Sequence, residues 1–293
     1  MNPMVSVIIP VYNRARKIMG AVKSIQQQTY TNFEIVVVDD SSTDNTVAVV
    51  EEIAKQDVRV RLVSQRPNKG AQAARNVGIH ASRGEWIAFL DSDDEWLPRS
   101  LELRLGVATK ENVLVVHSDC QMIEPDGSMR QYHLAAVSGE VYKKLLQGEG
   151  PMFQGLLVSK KALERINYLD ESIVAFQEWD TSIRLAKYYR FGFVAEPTFI
   201  YDCRGTDTIS KQIRRGGVGY EQIIKKHGSA MFWSIGPSYL AHHYEIIAGW
   251  YERGSDLESA GRCKKIARYF KLFNPSIILR KLTTIFKIKE EAR

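Results

Sequence analysis

Cysteine is scarce in this 293-residue chain. Cys120, Cys203 and Cys263 stand far apart, with no CxxC or Cys/His spacing. A zinc motif is excluded, a disulfide framework is not expected, and a reducing, cytoplasmic setting fits. Long apolar runs are missing too. Nothing approaches the ~18 apolar residues of a membrane-spanning helix. The first run, Val5 to Val11, is broken by Pro10 and has no basic stretch before it, so no signal peptide is expected. No GxGxxG follows that run, where Pro10-Val-Tyr-Asn13 stands instead. This argues against a dinucleotide oxidoreductase. Repeats and low-complexity tracts are absent.

The composition that remains is ordinary for a globular protein, with 44% apolar and 25% charged residues. The net charge of +6 is unevenly spread. Residues 211–293 hold 16 Lys and Arg against 7 Asp and Glu, and the rest of the chain is slightly acidic. The basic excess therefore points to a surface interaction of the C-terminal segment, not to a nucleic-acid-binding core.

Val5–Pro10, Glu34–Asp39, Arg59–Val63, Trp86–Leu90 and Val113–His117 are short, continuous apolar runs. They predict strands buried on both faces of a mostly parallel sheet. Helix-like stretches lie near 15–28, 43–56, 70–82 and 98–110, with Thr43 and Asp44 as N-cap candidates for the second. The alternation predicts an α/β fold with a doubly wound sheet. After residue 120 the rhythm is less regular. Glu124-Pro-Asp-Gly127 predicts a turn, 177–190 a helix, and Phe193–Tyr201 a strand. From about 211 the chain reads as helical and basic, with a boundary near 210–220.

Phe89-Leu-Asp-Ser-Asp-Asp-Glu95 directly follows an apolar strand. Ligands in open α/β sheets bind at the carboxyl ends of strands. Asp91, Asp93 and Asp94 repel one another unless a cation sits among them. Oxygen-only donors suit Mg²⁺ or Mn²⁺ with a diphosphate. A solvated acidic turn is the alternative. Asp39 and Asp40 close a second strand, and two acidic strand ends in one parallel sheet can share a crevice. Asn68-Lys-Gly70 opens a helix bearing Arg75 and Asn76. A helix N-terminus attracts phosphate, and Arg75 could add a bidentate contact.

Five motifs in register resemble the family 2 glycosyltransferases with the GT-A fold: Val5–Asn13, Val38–Asp44, Asn68-Lys-Gly70 with Ala74-Arg-Asn76, Asp91-Ser-Asp-Asp94, and Leu169-Asp-Glu171 with Gln177-Glu-Trp-Asp180 and Arg184. The likeness spans roughly residues 4 to 205. It implies a glycosyltransferase domain over 1–212 and places 213–293 outside it as a basic helical segment. It also implies inverting transfer from a nucleotide-sugar, usually a UDP-sugar, to a saccharide or lipid-linked acceptor in surface-polysaccharide synthesis. Donor contacts would fall on Pro10, Tyr12, Asn13, Asp39 or Asp40, Lys69, Arg75, Asp91 and Asp93. A divalent cation, Mn²⁺ or Mg²⁺, would be held at Asp93 and Asp94. An inactive nucleotide-sugar-binding scaffold on the same fold is the competing reading.

The departing diphosphate needs charge stabilisation, and the acceptor hydroxyl must lose a proton. Glu178 and Asp180 are the candidate bases. Two residues apart on a helix, they cannot both face one acceptor. The family's base position, counted back from Arg184, falls on Glu178, with Asp180 as competitor. Trp179 could stack on an acceptor sugar or pack in the core. Arg204–Lys211 suits a lid or a plain loop. Ala260–Phe273 and Ser276–Glu290 read as two helices, the second with Ile278, Leu282, Ile285 and Phe286 on one face among basic residues. Peripheral contact with the inner face of a membrane through 260–290, packing on the protein's own core, and pairing with a second copy are all compatible with that pattern.

Overall fold

The computed structural model describes residues 3–132, 138–148, 150–204 and 213–272. These form two compact units. The first holds residues 3–132, 138–145, 150–172 and 177–204; the second holds 146–148, 173–176 and 213–272. The expected loop 205–211 and helix 276–290 lie outside the described residues.

In the first unit, β1 (Val5–Val11), β2 (Phe33–Asp39), β3 (Val60–Ser64) and β4 (Trp86–Phe89) alternate with α1 (Ile18–Gln26), α2 (Thr46–Gln56) and α3 (Ala71–Ala81). Every residue of β1 and β2 is buried, as the unbroken apolar runs require of strands covered on both faces. Ile18, Ala21, Val22 and Ile25 form the buried stripe of α1 at helical spacing. The N-cap of α2 is Asn45, not the expected Thr43 or Asp44, and Asp44 just before it accepts the Thr46 N–H at Oδ1 at 2.9 Å. Gly78 lets α3 approach β1. A Cβ there would lie 2.5 Å from Ile8 Cγ2, closer than packing allows.

These strands lie in the order β3-β2-β1-β4, all parallel. The chain runs outward from β1 to β3, then crosses to the other side of β1 to lay down β4. That reversal opens a crevice beyond the carboxyl ends of β1 and β4.

Beyond Phe89 the sheet is mixed. It continues through β5 (Glu95–Trp96), β6 (Val115–Ile123), β7 (Met129–Tyr132), β8 (Leu157–Ser159) and β9 (Phe191–Asp202). β8 runs antiparallel between β4 and β6, and β6 is parallel to β9. The hairpin β6–β7 closes on the expected turn, with Gly127 at φ +85° and its N–H on Glu124 O. Strands of two to four residues leave no periodicity to detect, which is why β5, β7 and β8 were not foreseen. The helices of this part are α4 (Ser100–Glu111), α5 (Tyr142–Gln147), α6 (Lys160–Arg165) and α7 (Gln177–Ala186).

The second unit is built on α8 (Ile213–Ile235), α9 (Pro237–Arg253) and α10 (Leu257–Leu272). Gly236, at φ +90°, breaks α8 from α9, and Pro237 starts α9 where its missing N–H costs nothing. Tyr220, Ile224, Ile247, Tyr251 and Cys263 pack its interior. No described helix is long and apolar enough to cross a membrane.

One buried charge holds this unit together. The Glu221 carboxylate accepts from Arg262 Nη2 at 2.9 Å and from the Tyr251 hydroxyl at 2.7 Å. The Arg262 bonds lower its pKa to about 2. A depressed carboxylate stabilises above its unfolded-state pKa, and that contribution is lost as pH falls towards the folded value. Glu221→Gln is expected to cost about 1 kcal/mol at neutral pH, since Arg262 is 44% exposed and is hydrated when its partner is lost. In denaturant unfolding, its deficit against the wild type should narrow as pH falls from about 4.5 towards 2.

Candidate active site

The site is assembled from the loops at the carboxyl ends of β1, β2 and β4. Phe89, the last residue of β4, pairs with Ile8, so Pro10 lies beyond that ladder and breaks no sheet bond. Tyr12 is exposed. Asn13 takes a left-handed φ of +52°, which asparagine tolerates. Its Oδ1 accepts the Thr43 N–H at 2.8 Å, and its own N–H reaches Ser42 Oγ at 2.9 Å. Asn13 thereby ties the loop after β1 to the loop after β2.

The two aspartates after β2 differ. The Asp40 carboxylate accepts from Gln65 Nε2 at 2.6 Å, the Lys69 N–H at 2.9 Å and the Gly70 N–H at 2.7 Å. It folds the 65–70 segment back onto the sheet and presents Gly70, at φ +88°, as the start of α3. Lys69 itself is exposed. Asp39 accepts the Ser42 N–H at 3.2 Å and keeps acceptor capacity that Asp40 has spent.

Arg75, on α3, joins the remaining pieces. Its Nη2 donates to Asp91 Oδ1 at 2.6 Å, and its Nη1 reaches Gln72 Oε1 at 3.0 Å and Gln177 Oε1 at 3.4 Å. The guanidinium lies 4.5 Å from the centre of the Phe153 ring. It is buried, and so holds the acidic loop and the first residue of α7 at once. The next residue of α3, Asn76, accepts the Leu169 N–H at 3.0 Å and donates to Leu169 O and to Glu171. Three stretches distant in sequence are thus fastened to one helix turn.

Gln154 completes the acidic loop. Its amide donates to Asp91 Oδ2 at 2.8 Å and to Asp94 Oδ2 at 2.6 Å. Its carbonyl accepts the Trp96 indole N–H at 2.9 Å. Asp93 lies 3.8 Å from both Arg14 Nε and Lys17 Nζ. Burial, then the Asp91 charge, raises the pKa of Asp93. Deeper burial and the same crowding push Asp94 well above the usual carboxylate range. Sequence reasoning missed Gln154 and Phe153, which sit in an irregular stretch and match no motif.

Among the described residues no three His, Cys, Asp or Glu side chains form a ready-made metal cage. The donors nonetheless suit a hard divalent cation. Such ions often take one or two carboxylates and complete their shell with water and phosphate oxygens. The Asp91 and Asp93 side chains are 32% and 21% exposed, whereas Asp94 is buried against Gln154. Of the expected pair Asp93 and Asp94, Asp93 is the more accessible, and Asp91 beside them is held by Arg75 and Gln154.

α7 separates its own candidates. Glu178 is half-buried. Asp180 is buried and accepts Arg184 Nε at 2.9 Å, one helical turn on. Arg184 Nη1 in turn donates to Ile166 O and Tyr168 O, both at 2.7 Å. The carboxylate of Asp180 is committed to that guanidinium. Of its two readings, Trp179 takes the one in the core. It is fully buried, with its indole N–H on Leu145 O at 2.6 Å, and presents no face to an acceptor.

Residues 6–165 match the family model described as Glycosyl transferase family 2. An Escherichia coli protein named UDP-Glc:alpha-D-GlcNAc-diphosphoundecaprenol beta-1,3-glucosyltransferase is 35% identical over 147 residues, covering 50% of this chain and 56% of that protein. The chain spans from 24% to 66% of the length of the first curated relatives it matches. Among solved structures, S. aureus TarS in complex with UDP-GlcNAc aligns with a TM-score of 0.64 at 17% identity, covering 91% of this chain and 92% of that one. A mannosyltransferase from Pyrobaculum calidifontis, in complex with GDP-Man and Mn²⁺, aligns with a TM-score of 0.63 at 21% identity, covering 89% and 74%. At these identities the structures show a shared GT-A fold.

The two acidic residues of α7 should separate in stability. Asp180→Asn leaves a buried guanidinium without its counter-charge and is expected to cost about 3 kcal/mol. Glu178→Gln is expected to cost less than about 1 kcal/mol. Thermal unfolding of both variants checks this.

Proposed function

The chain belongs to glycosyl transferase family 2, and we propose that it is an inverting glycosyltransferase that moves a sugar from a nucleotide-sugar, with UDP as the leaving group, to a hydroxyl of a saccharide or lipid-linked acceptor. One observation carries the reading: Arg75 bonds Asp91 of the acidic loop and Gln177, the neighbour of Glu178. A donor-binding carboxylate and a candidate base are thus fastened to one rigid group beside the switch point of the sheet. The UDP-linked relatives support the choice of donor, and the GDP-Man complex of a similar fold makes the nucleotide the first thing to test.

In this reading residues 1–212 are catalytic and 213–293 are a basic helical appendage that brings the enzyme to the inner face of a membrane. Tyr12 and Asp39 receive the nucleobase and ribose. Asp93 and Asp91 would hold a divalent cation, which would stabilise the charge developing on the departing diphosphate. Glu178 accepts the proton of the acceptor hydroxyl as its oxygen forms a bond to the anomeric carbon. The bond from that carbon to the phosphate oxygen breaks on the opposite face, so the configuration inverts. Gln154 positions the acidic loop, Asp40 the start of α3 and Asp180 Arg184, and none of the three touches donor or acceptor in this reading.

Thermal unfolding with UDP, GDP, TDP and CDP, each with Mn²⁺ or EDTA, tests the site. A rise with UDP and Mn²⁺ that is lost in EDTA and in Asp93→Asn is expected. Glu178→Gln should keep that rise and lower turnover by about 10²-fold or more. A rise with GDP alone would change the donor and keep the class. UDP binding with no acceptor-dependent turnover would favour the inactive scaffold.

A further inference from the structure

The helical unit carries an aromatic cluster that the transfer reaction does not use. Phe232 and Trp233, near the end of α8, contact each other edge to face, with ring centres 5.1 Å apart. Phe232 also lies 6.2 Å from Phe270 near the end of α10. Phe270 stacks on Tyr244 of α9 at 6.0 Å and meets Tyr269 at 5.9 Å. Trp233 is 81% exposed, Tyr269 57% and Leu272 56%. A tryptophan left so open stands out in a unit that buries Tyr220 and Tyr251.

The surroundings of the cluster say what would cover it. Lys265, Arg268, Tyr269 and Leu272 are all exposed and fall at i, i+3, i+4 and i+7 on α10, opposite the buried Ala260, Cys263 and Ala267. Lys226, Ser229 and Trp233 make a matching exposed stripe on α8. Both stripes set cations beside aromatic or aliphatic groups. α10 ends at Leu272, within this patch, and 21 residues follow. They hold eight Ile, Leu and Phe residues, with five Lys and Arg against two Glu. A second protein copy with the same basic surface would meet like charge, whereas an anionic bilayer offers anionic headgroups and an apolar interface together. Its phosphates would pair with the cations, and its interface would bury the amphipathic rings.

We infer that this end of the helical unit rests on an anionic phospholipid surface, with Trp233, Tyr269 and Leu272 inserted at the interface and Lys226, Lys265 and Arg268 at the headgroups. The inference deepens the peripheral-contact reading. It places the anchor on α8 as well as on the C-terminal segment, and it needs neither donor nor acceptor to be tested.

The test is co-sedimentation of the full chain with vesicles of phosphatidylcholine, alone or mixed with phosphatidylglycerol. Binding to the mixed vesicles is expected, weakening with salt as screening grows. Trp233→Ser combined with Tyr269→Ser and Leu272→Ser should reduce partitioning about tenfold or more, and so should Lys265→Glu with Arg268→Glu. All five positions are exposed, so unchanged thermal unfolding confirms intact folds. No binding by the wild type, or equal binding by wild type and variants, would overturn the inference. So would a lipid-free wild-type dimer, seen by light scattering, that the triple substitution dissolves, because the patch would then be an interface between copies. These outcomes leave the glycosyltransferase reading untouched, since that is judged by nucleotide binding and turnover.

Discussion

The buried guanidinium of Arg75 is the constraint on which the candidate site depends. An arginine out of water is costly unless its fork is matched by acceptors. Here Asp91, Gln72 and Gln177 supply them at the two terminal nitrogens, Phe153 covers one face, and the buried Nε has no acceptor among the described residues. The requirement acts in both directions. Arg75 needs those partners, so the acidic loop and the start of α7 are drawn to a fixed place beside α3. Asn76 repeats the device one residue on, with Leu169 and Glu171.

The same economy recurs through the chain. Carboxylates that look equivalent in sequence are divided by their hydrogen bonds. Asp40 is consumed by the 65–70 segment and Asp180 by Arg184, whereas Asp39 accepts only the Ser42 N–H among the bonds described. The acidic loop is the exception. Gln154 bonds Asp91 and Asp94, Arg75 bonds Asp91, and Asp93 lies near Arg14 and Lys17, yet burial with mutual repulsion raises the pKa of Asp93 and Asp94. The repulsion that remains is what a divalent cation would answer. In the helical unit Glu221 has the opposite environment, matched by Arg262 and Tyr251, and it serves stability alone.

The parallel half of the sheet was legible in sequence because β1 and β2 are continuous apolar runs long enough to show that they are buried on both faces. So were the strand-end acids, because a parallel sheet sends them all to one edge. β5, β7 and β8 were not legible, being too short to carry a period. Trp179 stayed open between two readings for a different reason. A tryptophan beside a candidate base looks the same in sequence whether it meets a sugar or, as here, donates to Leu145 O inside the core. That Asp180 pairs with Arg184 is shown only in three dimensions. Gln154 could not have been found, since a lone glutamine in an irregular stretch carries no pattern.

The most direct measurement is the affinity for UDP in the presence of Mn²⁺, by titration calorimetry, of the wild type and Arg75→Lys. Lysine keeps the positive charge and loses the planar fork that spans Asp91 and Gln177. If that fork organises the site, the variant should unfold cooperatively and bind about tenfold or more weakly. A folded Arg75→Lys variant with wild-type affinity would contradict the central role given to this residue.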